Sequence, residues 1–223
     1  TLNGNSGNDT LIGGRGKDYV FGQENDDVIE WVANDDEDFK IDGGPGKDTL
    51  SLTSLEESPD QFTIAASGDD VLVTLDALVT ENLLASNVEI FSAFTGRGPD
   101  NVVVGDLTGT TAEAVLVDIA GGNTANDADT VLVNGTPNVD QVKISSPPGR
   151  IRVDGLAWIV EVGRVSRAAG DQLTVTTHKG NDRIDASDVS EDLMALILTG
   201  SDGNDRIIGG PFRDVINGGS DND

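Results

Sequence analysis

Apolar residues come in short alternating runs along most of the chain. QFTIA from Gln61, DVLVTL from Asp70, NVVV from Asn101 and AVLVDIA from Ala114 are followed by TVLV from Thr130 and QVKIS from Gln141. RIRV from Arg150, AWIVEV from Ala157, QLTVTT from Gln172 and LMALIL from Leu193 continue the series. A period of two places every second side chain on one face, which predicts β-strands with one buried side. Turn residues separate the runs, and no helical stripe of three-to-four spacing interrupts them. The chain reads as all-β.

The two ends carry a second, longer period. Nine-residue units run GNSGNDTLI from Gly4, GGRGKDYVF from Gly13 and GQENDDVIE from Gly22, then a degraded WVANDDEDF from Trp31. After a three-residue insertion GGPGKDTLS follows from Gly43. The unit returns as GSDGNDRII from Gly200 and GGPFRDVIN from Gly209, and a truncated GGSDND ends at Asp223. The sixth place is Asp in every unit: Asp9, Asp18, Asp27, Asp36, Asp48, Asp205, Asp214 and Asp223. Glycines gather at places one, two and four: Gly4, Gly7, Gly13, Gly14, Gly16, Gly22, Gly43, Gly44, Gly46, Gly200, Gly203, Gly209 and Gly218. Glycine at these places is expected to give positive φ and to bare backbone carbonyls in a tight turn. The Asp adds a hard carboxylate oxygen, and calcium takes six to eight such oxygens. The aliphatic residue at place eight, as in Leu11, Val20 and Ile29, is expected to point inward from a short strand. Turn stabilisation without metal is the competing reading of an isolated Gly-Asn-Asp; the in-phase repetition of Gly, Asp and aliphatic residue favours a metal.

This G-G-x-G-x-D-x-U-x unit resembles the hemolysin-type (RTX) calcium-binding repeats of secreted bacterial proteins. The resemblance implies a right-handed parallel β-roll or β-helix solenoid with calcium-bound turns and several calcium ions. Turn plus strand is half a coil, so calcium ligands on one side recur every eighteen residues, as in Asp9/Asp27, Asp18/Asp36 and Asp205/Asp223. It also implies export unfolded through type I secretion and folding on extracellular calcium, with the chain largely disordered before that.

The organisation expected is calcium-binding β-roll repeats over 1–51, wider β-helix-like units over 52–128 and 129–199, and β-roll repeats again over 200–223. The two middle units are copies offset by about 80 residues. PDQFTI at Pro59 matches VDQVKI at Val139, GRGPDNVVV at Gly96 matches HKGNDRIDA at His178, and VLVDIAGG at Val115 matches LILTGSDG at Leu196. Each keeps a nonamer-like turn, which makes Asp100, Asp129 (or Asp127) and Asp182 further candidate ligands. Two β-sandwiches inserted between the rolls are the alternative to a continuous solenoid.

Charge narrows the function. Forty Asp and Glu against 14 Lys and Arg give a net charge of −26. That repels nucleic acid and anionic lipid, so neither is an expected partner, and no apolar run is long enough for a membrane helix. Without cysteine there is no thiolate metal site or Cys nucleophile. The one histidine, His178, sits in a repeat turn, so a Ser-His-Asp triad finds no support. Trp31 and Trp158 suit packing better than sugar stacking. The chain reads as non-enzymatic, extracellular or cell-surface, and calcium-binding. Its last residues joined to its first read GGSDNDTLN, in phase with the repeat, which suggests head-to-tail self-association or a longer array. A calcium-folding segment of a larger secreted enzyme or adhesin is the second reading.

Overall fold

The computed structural model describes residues 1–32, 40–54, 59–76, 80–119 and 128–223. These residues form strands and turns without helix. The strands are β1 (Leu2–Ser6), β2 (Thr10–Ile12), β3 (Tyr19–Glu24), β4 (Val28–Val32), β5 (Lys40–Asp42), β6 (Thr49–Thr53), β7 (Gln61–Ser67), β8 (Asp70–Asp76), β9 (Thr80–Ser86), β10 (Ile90–Phe94) and β11 (Asn101–Val104). They continue as β12 (Ala114–Asp118), β13 (Thr130–Asn134), β14 (Gln141–Ser145), β15 (Arg150–Asp154), β16 (Ile159–Gly163), β17 (Gln172–Thr176), β18 (Arg183–Asp188), β19 (Ala195–Asp202), β20 (Arg206–Ile208) and β21 (Asp214–Ser220).

Two long sheets face each other. One is ordered β1-β3-β5-β9-β8-β7-β11-β13-β17-β19-β21 and the other β2-β4-β6-β10-β12-β16-β15-β14-β18-β20. At the ends of the chain successive strands alternate between the sheets, and each pairs in parallel with the strand one coil later. The register Leu2↔Val20 and Thr10↔Val28 is the eighteen-residue coil expected from the nonamers. Alternation puts Val20, Ile29, Ile41, Leu50, Phe62 and Phe91 fully inside. Both sheets run unbroken from end to end, so the middle is part of one solenoid and not a pair of inserted sandwiches.

The parallel ladder is broken twice by antiparallel meanders. In the first sheet β7, β8 and β9 are antiparallel neighbours, and β9 continues β5 while β7 carries β11. In the second sheet β14, β15 and β16 do the same between β18 and β12. The β7–β8 hairpin closes on the two residues Gly68-Asp69, with Gly68 at φ 71°. Such a loop suits the right-handed twist of the strands. The β14–β15 hairpin uses Pro147-Pro148-Gly149-Arg150, closed by Arg150 N–H on the Pro147 carbonyl at 2.9 Å with Gly149 at φ 68°.

The meanders explain the internal repeat. Copy one supplies β7 to β13 and copy two β14 to β20. Seven is odd, and successive copies therefore start on opposite sheets. β7 and β14, which carry PDQFTI and VDQVKI, lie on different faces of the solenoid. The first meander moves one sheet two strands ahead, and the second lets the other sheet catch up. The coils of β17 to β20 are level again.

Candidate metal centre

Asp9, Asp27, Asp182 and Asp205 each stand at the corner just before a strand, and the backbone N–H of each donates to the carboxylate of the next coil. Asp9 N–H meets Asp27 Oδ1 at 2.8 Å, and Asp27 N–H meets Asp48 Oδ1 at 2.8 Å. At the other end Asp182 N–H meets Asp205 Oδ1 at 2.8 Å and Asp205 N–H meets Asp223 Oδ1 at 3.0 Å. Negative carboxylates accepting peptide N–H bonds at these lengths are charge-assisted and directional.

The other carboxylate oxygen has no such partner. Asp9, Asp27, Asp48 and Asp205 each hold a buried Oδ2 that no protein group bonds. An unbonded carboxylate oxygen away from water is costly. It also faces other oxygens. A Cβ built on Gly4 would lie 2.5 Å from the Gly22 carbonyl oxygen and 3.1 Å from Asp9 Oδ2. One on Gly22 would lie 2.5 Å from Asp27 Oδ2 and press on the Gly43 carbonyl oxygen. One on Gly200 would strike Asp205 Oδ2 and lie 2.7 Å from the Gly218 carbonyl oxygen. At place one, then, a carboxylate oxygen and the next coil's carbonyl oxygen converge on a position that only glycine leaves open. A hard cation resolves that convergence, and the donor set of carboxylate plus carbonyl is the one calcium prefers. Among the described residues no three Asp, Glu or His side chains gather at one point, so backbone carbonyls are needed to complete any such site.

This corrects the expected role of place one. Gly4, Gly22, Gly43, Gly200 and Gly218 do not take positive φ; space, not backbone conformation, demands them. Positive φ belongs to places two and four, where glycine is optional. Gly14, Gly44 and Gly219 share place two with Asn5, Gln23 and Ser201 at φ 73°, 77° and 85°. Gly7, Gly16 and Gly203 share place four with Asn25 and Asp221.

The remaining candidates divide. Asp18 accepts from the N-terminal amine at 3.2 Å, and Asp214 accepts from Gly210 N–H in its own turn at 2.6 Å. Asp36 and Asp127 lie outside the described residues. Asp100 and Asp129 belong to a ladder on the opposite corner: Asp60 N–H meets Asp100 Oδ1 at 3.0 Å, Asp100 N–H meets Asp129 Oδ1 at 2.8 Å, and Asp129 N–H meets Asp171 Oδ1 at 3.2 Å. Asp182 is reached from below by Asp140 N–H at 2.8 Å.

Asp60, Asp140, Asp171 and Glu89 are rungs that the nonamer pattern misses. Three of them carry a protein donor on Oδ2, unlike Asp9, Asp27, Asp48 and Asp205. Ser54 Oγ donates to Asp60 Oδ2. Thr136 gives its N–H to Asp140 Oδ2 at 2.8 Å and its hydroxyl to Oδ1 at 2.9 Å. Ser166 N–H donates to Asp171 Oδ2 at 2.6 Å. Glu89 ends the N-terminal ladder by accepting Asp48 N–H at 2.8 Å on its longer arm.

Burial pushes the Asp48 carboxyl up to about 6, against the lowering effect of the Asp27 N–H and with help from the nearby Glu89 charge. Burial raises Glu89 and Asp182 in the same direction. Desolvation unrelieved by a cation has this sign for any acid. Elsewhere, Trp31 and Trp158 are inside, at 2% and 1% exposure, and offer no stacking platform. His178 lies in its turn at φ 67° with its Nε2 3.1 Å from Asn134 Oδ1.

Four copies of the RTX calcium-binding nonapeptide repeat match the chain, over residues 1–29 and 199–223. RTX nonapeptide repeats bind calcium ions and are non-catalytic, so calcium is the metal for the turns at both ends. No curated protein matches the chain.

Proposed function

We propose that the protein is a secreted, non-catalytic structural module whose terminal coils fold on extracellular calcium. The observation that carries this reading is the convergence at place one, where Asp27 Oδ2 and the Gly43 carbonyl oxygen crowd the site of a Gly22 Cβ. Asp9, Asp27, Asp48, Asp205 and Asp223 would hold the ions, each with carbonyls of its own turn and of the next coil. Bound calcium supplies the positive charge that these oxygens lack. Extracellular modules bind calcium at roughly 0.1–1 mM, and at ten times its Kd each independent site stabilises the fold by about 1.4 kcal/mol. Cytosolic calcium is far below that range, which keeps the terminal coils open for export. A calcium titration followed by circular dichroism and calorimetry tests the reading. Several bound ions and a gain of β signal are expected; a β spectrum and heat that ignore calcium sink it.

The last coil supports assembly as part of this role. Val215 and Ile216 on β21 stay 59% and 50% exposed, and Ile207 and Ile208 beside them are only half-buried. A further coil, from a longer array or from a second copy stacked head to tail, covers this edge and supplies a carboxylate for the Asp223 N–H. Such a contact is open-ended and builds filaments. Electron microscopy with and without chelator checks it, and monodisperse single subunits at millimolar calcium exclude stacking of this chain.

A further inference from the structure

We infer that the described residues between Asp60 and Leu198 form a folding core that needs no calcium, and that the two calcium-binding ends assemble on it as on a template. The inference rests on the reading of the ends as calcium-bound and limits the metal requirement to them.

Three independent features separate the centre from the ends. The first is the treatment of the Asp corners. Asp60, Asp140 and Asp171 receive hydrogen bonds from Ser54, Thr136 and Ser166, so their charge is met by protein dipoles. Asp9, Asp27, Asp48 and Asp205 leave a buried oxygen with no protein donor, and so does Asp182, the central rung that borders Asp205. The same corner therefore exists in a protein-capped form and a form left open to a cation. Place one departs from glycine at three of the central corners, where Thr95, Ser166 and Thr177 stand, while Gly135 keeps it before Asp140.

The second feature is the distribution of apolar burial. Of the 41 buried apolar residues described, 34 lie between Phe62 and Leu198, seven lie in the N-terminal coils and none lies beyond Leu198. Each buried Leu, Ile, Val or Phe contributes about 1.5–3 kcal/mol, which the centre has in quantity and the C-terminal coils lack. The third is local pairing. The hairpins β7–β8 and β14–β15 join residues close in sequence, so their closure costs little entropy. Coils of the end type pair only across a whole turn.

Surface charge in the second meander is also offset without metal. Arg152 bridges Asp154 and Glu161 at 2.8 and 2.7 Å, Lys143 meets Asp188 at 2.6 Å, and Arg183 meets Asp185 at 2.6 Å. The centre exposes β5- and β6-facing edges on one side and β21- and β20-facing edges on the other, each in the register that the next calcium coil requires.

Hydrogen exchange of the whole chain, resolved by peptide, tests the inference in chelator and in millimolar calcium. In chelator, peptides from residues 1–52 and 199–223 should exchange at the rate of open chain. Peptides from the strands between Gln61 and Thr176 should stay protected at least a hundredfold. Calcium should then protect the ends and leave the centre unchanged. Loss of protection throughout in chelator, with full recovery in calcium, overturns the inference while leaving the calcium reading intact. Ends protected equally in both conditions overturn the calcium reading and this inference with it. Two variants give a second readout. Thr136→Val should lower the melting midpoint in chelator and leave the number of calcium ions bound unchanged, whereas Asp27→Ala should do the reverse. A Thr136→Val protein that loses calcium ions, or an Asp27→Ala protein that melts earlier in chelator, counts against a separate core.

Discussion

The backbone N–H of Asp27 donates to the carboxylate of Asp48 at 2.8 Å, while the second oxygen of Asp48 finds no protein donor. One residue thus has two duties: Oδ1 fastens its coil to the one before, and Oδ2 faces the oxygens of the one after. Calcium bound at Oδ2 would fix the same carboxylate that holds the preceding coil. Neighbouring sites are coupled through the ladder, and binding should be cooperative along each end. A titration that fits identical independent sites contradicts this coupling.

Glycine positions should differ sharply in tolerance. A methyl at Gly22 meets Asp27 Oδ2 at 2.5 Å as well as the Gly43 carbonyl, both fixed by the ladder. Gly22→Ala should cost about 1–3 kcal/mol by overpacking and displace the metal oxygens as well. Gly14 has open space around its Cβ position and φ 72°, a conformation that Asn5 adopts at the same place of its own repeat. Gly14→Asn should therefore keep calcium affinity within about threefold, since Asn tolerates the left-handed region. Calorimetric titration of the two variants separates space from conformation as the reason for glycine.

The two tryptophans report on different parts of the solenoid. Trp31 lies in β4, paired with Leu52 of β6, among the calcium coils; Trp158 lies in the centre. Neither indole N–H has a protein acceptor, so replacement by Phe loses no hydrogen bond and costs chiefly packing. In Trp158→Phe the remaining Trp31 emission should be red-shifted in chelator and move to the blue on calcium addition. In Trp31→Phe the remaining Trp158 emission should be blue in both. Parallel shifts in the two variants would mean that the whole solenoid orders as one unit.

Much of this arrangement is legible in the sequence. The Asp at place six and the aliphatic residue at place eight locate the corner and the first buried strand residue, as Asp9 with Leu11 and Asp27 with Ile29 show. The rungs Asp60, Asp140 and Asp171 escape because their turns lack the repeat's set of glycines; Gly135 before Asp140 is the one kept at place one. They keep the rest of the signal: Asp-Gln-Phe-Thr-Ile, Asp-Gln-Val-Lys-Ile and Asp-Gln-Leu-Thr-Val all place Asp two residues before the first core position. Gly68-Asp69 between two alternating runs is likewise a hairpin signal. The reason for glycine at place one is not legible locally, because the atoms that exclude a side chain at Gly22 include a carbonyl from Gly43, one coil away. Nor does any single segment reveal that the two copies face opposite sheets; that follows from the odd number of strands, β7 to β13, in one copy.

Proton and calcium should substitute for one another at the N-terminal ladder. The Asp48 carboxyl is raised from 3.8 to about 6 in the folded, metal-free protein. The folded form therefore holds the proton more tightly than the unfolded form. The stability linked to that proton is complete below about pH 4 and is lost as pH rises through about 6. In chelator, Trp31 emission should be red-shifted at pH 7 and move toward the blue at pH 4.5, as the proton favours ordered N-terminal coils. Asp48→Asn should flatten that pH dependence, and saturating calcium should abolish it. Trp31 emission in chelator that moves to the blue from pH 4.5 to 7 has the wrong sign for this account.

The two meanders should compensate each other. Each adds two strands to one sheet, about 10 Å at the usual strand spacing. Deleting residues 59–79, which removes β7 and β8, leaves the second sheet two strands ahead from β17 onward. The coils of β17 to β20 then no longer face each other, and the C-terminal calcium turns lose their register. Deleting residues 141–154 alone, which removes β14 and β15, displaces the first sheet by the same amount in the opposite sense. Both single deletions should lose the C-terminal calcium ions and melt well below the parent chain. The double deletion restores equal strand numbers on the two sides, so it should recover C-terminal binding that neither single deletion keeps. That outcome is strongly non-additive, as expected for two changes acting on one shared register. Calorimetric counting of bound calcium in the three deletions decides it, and a double deletion that binds no better than the singles shows that the meanders do not act through sheet level.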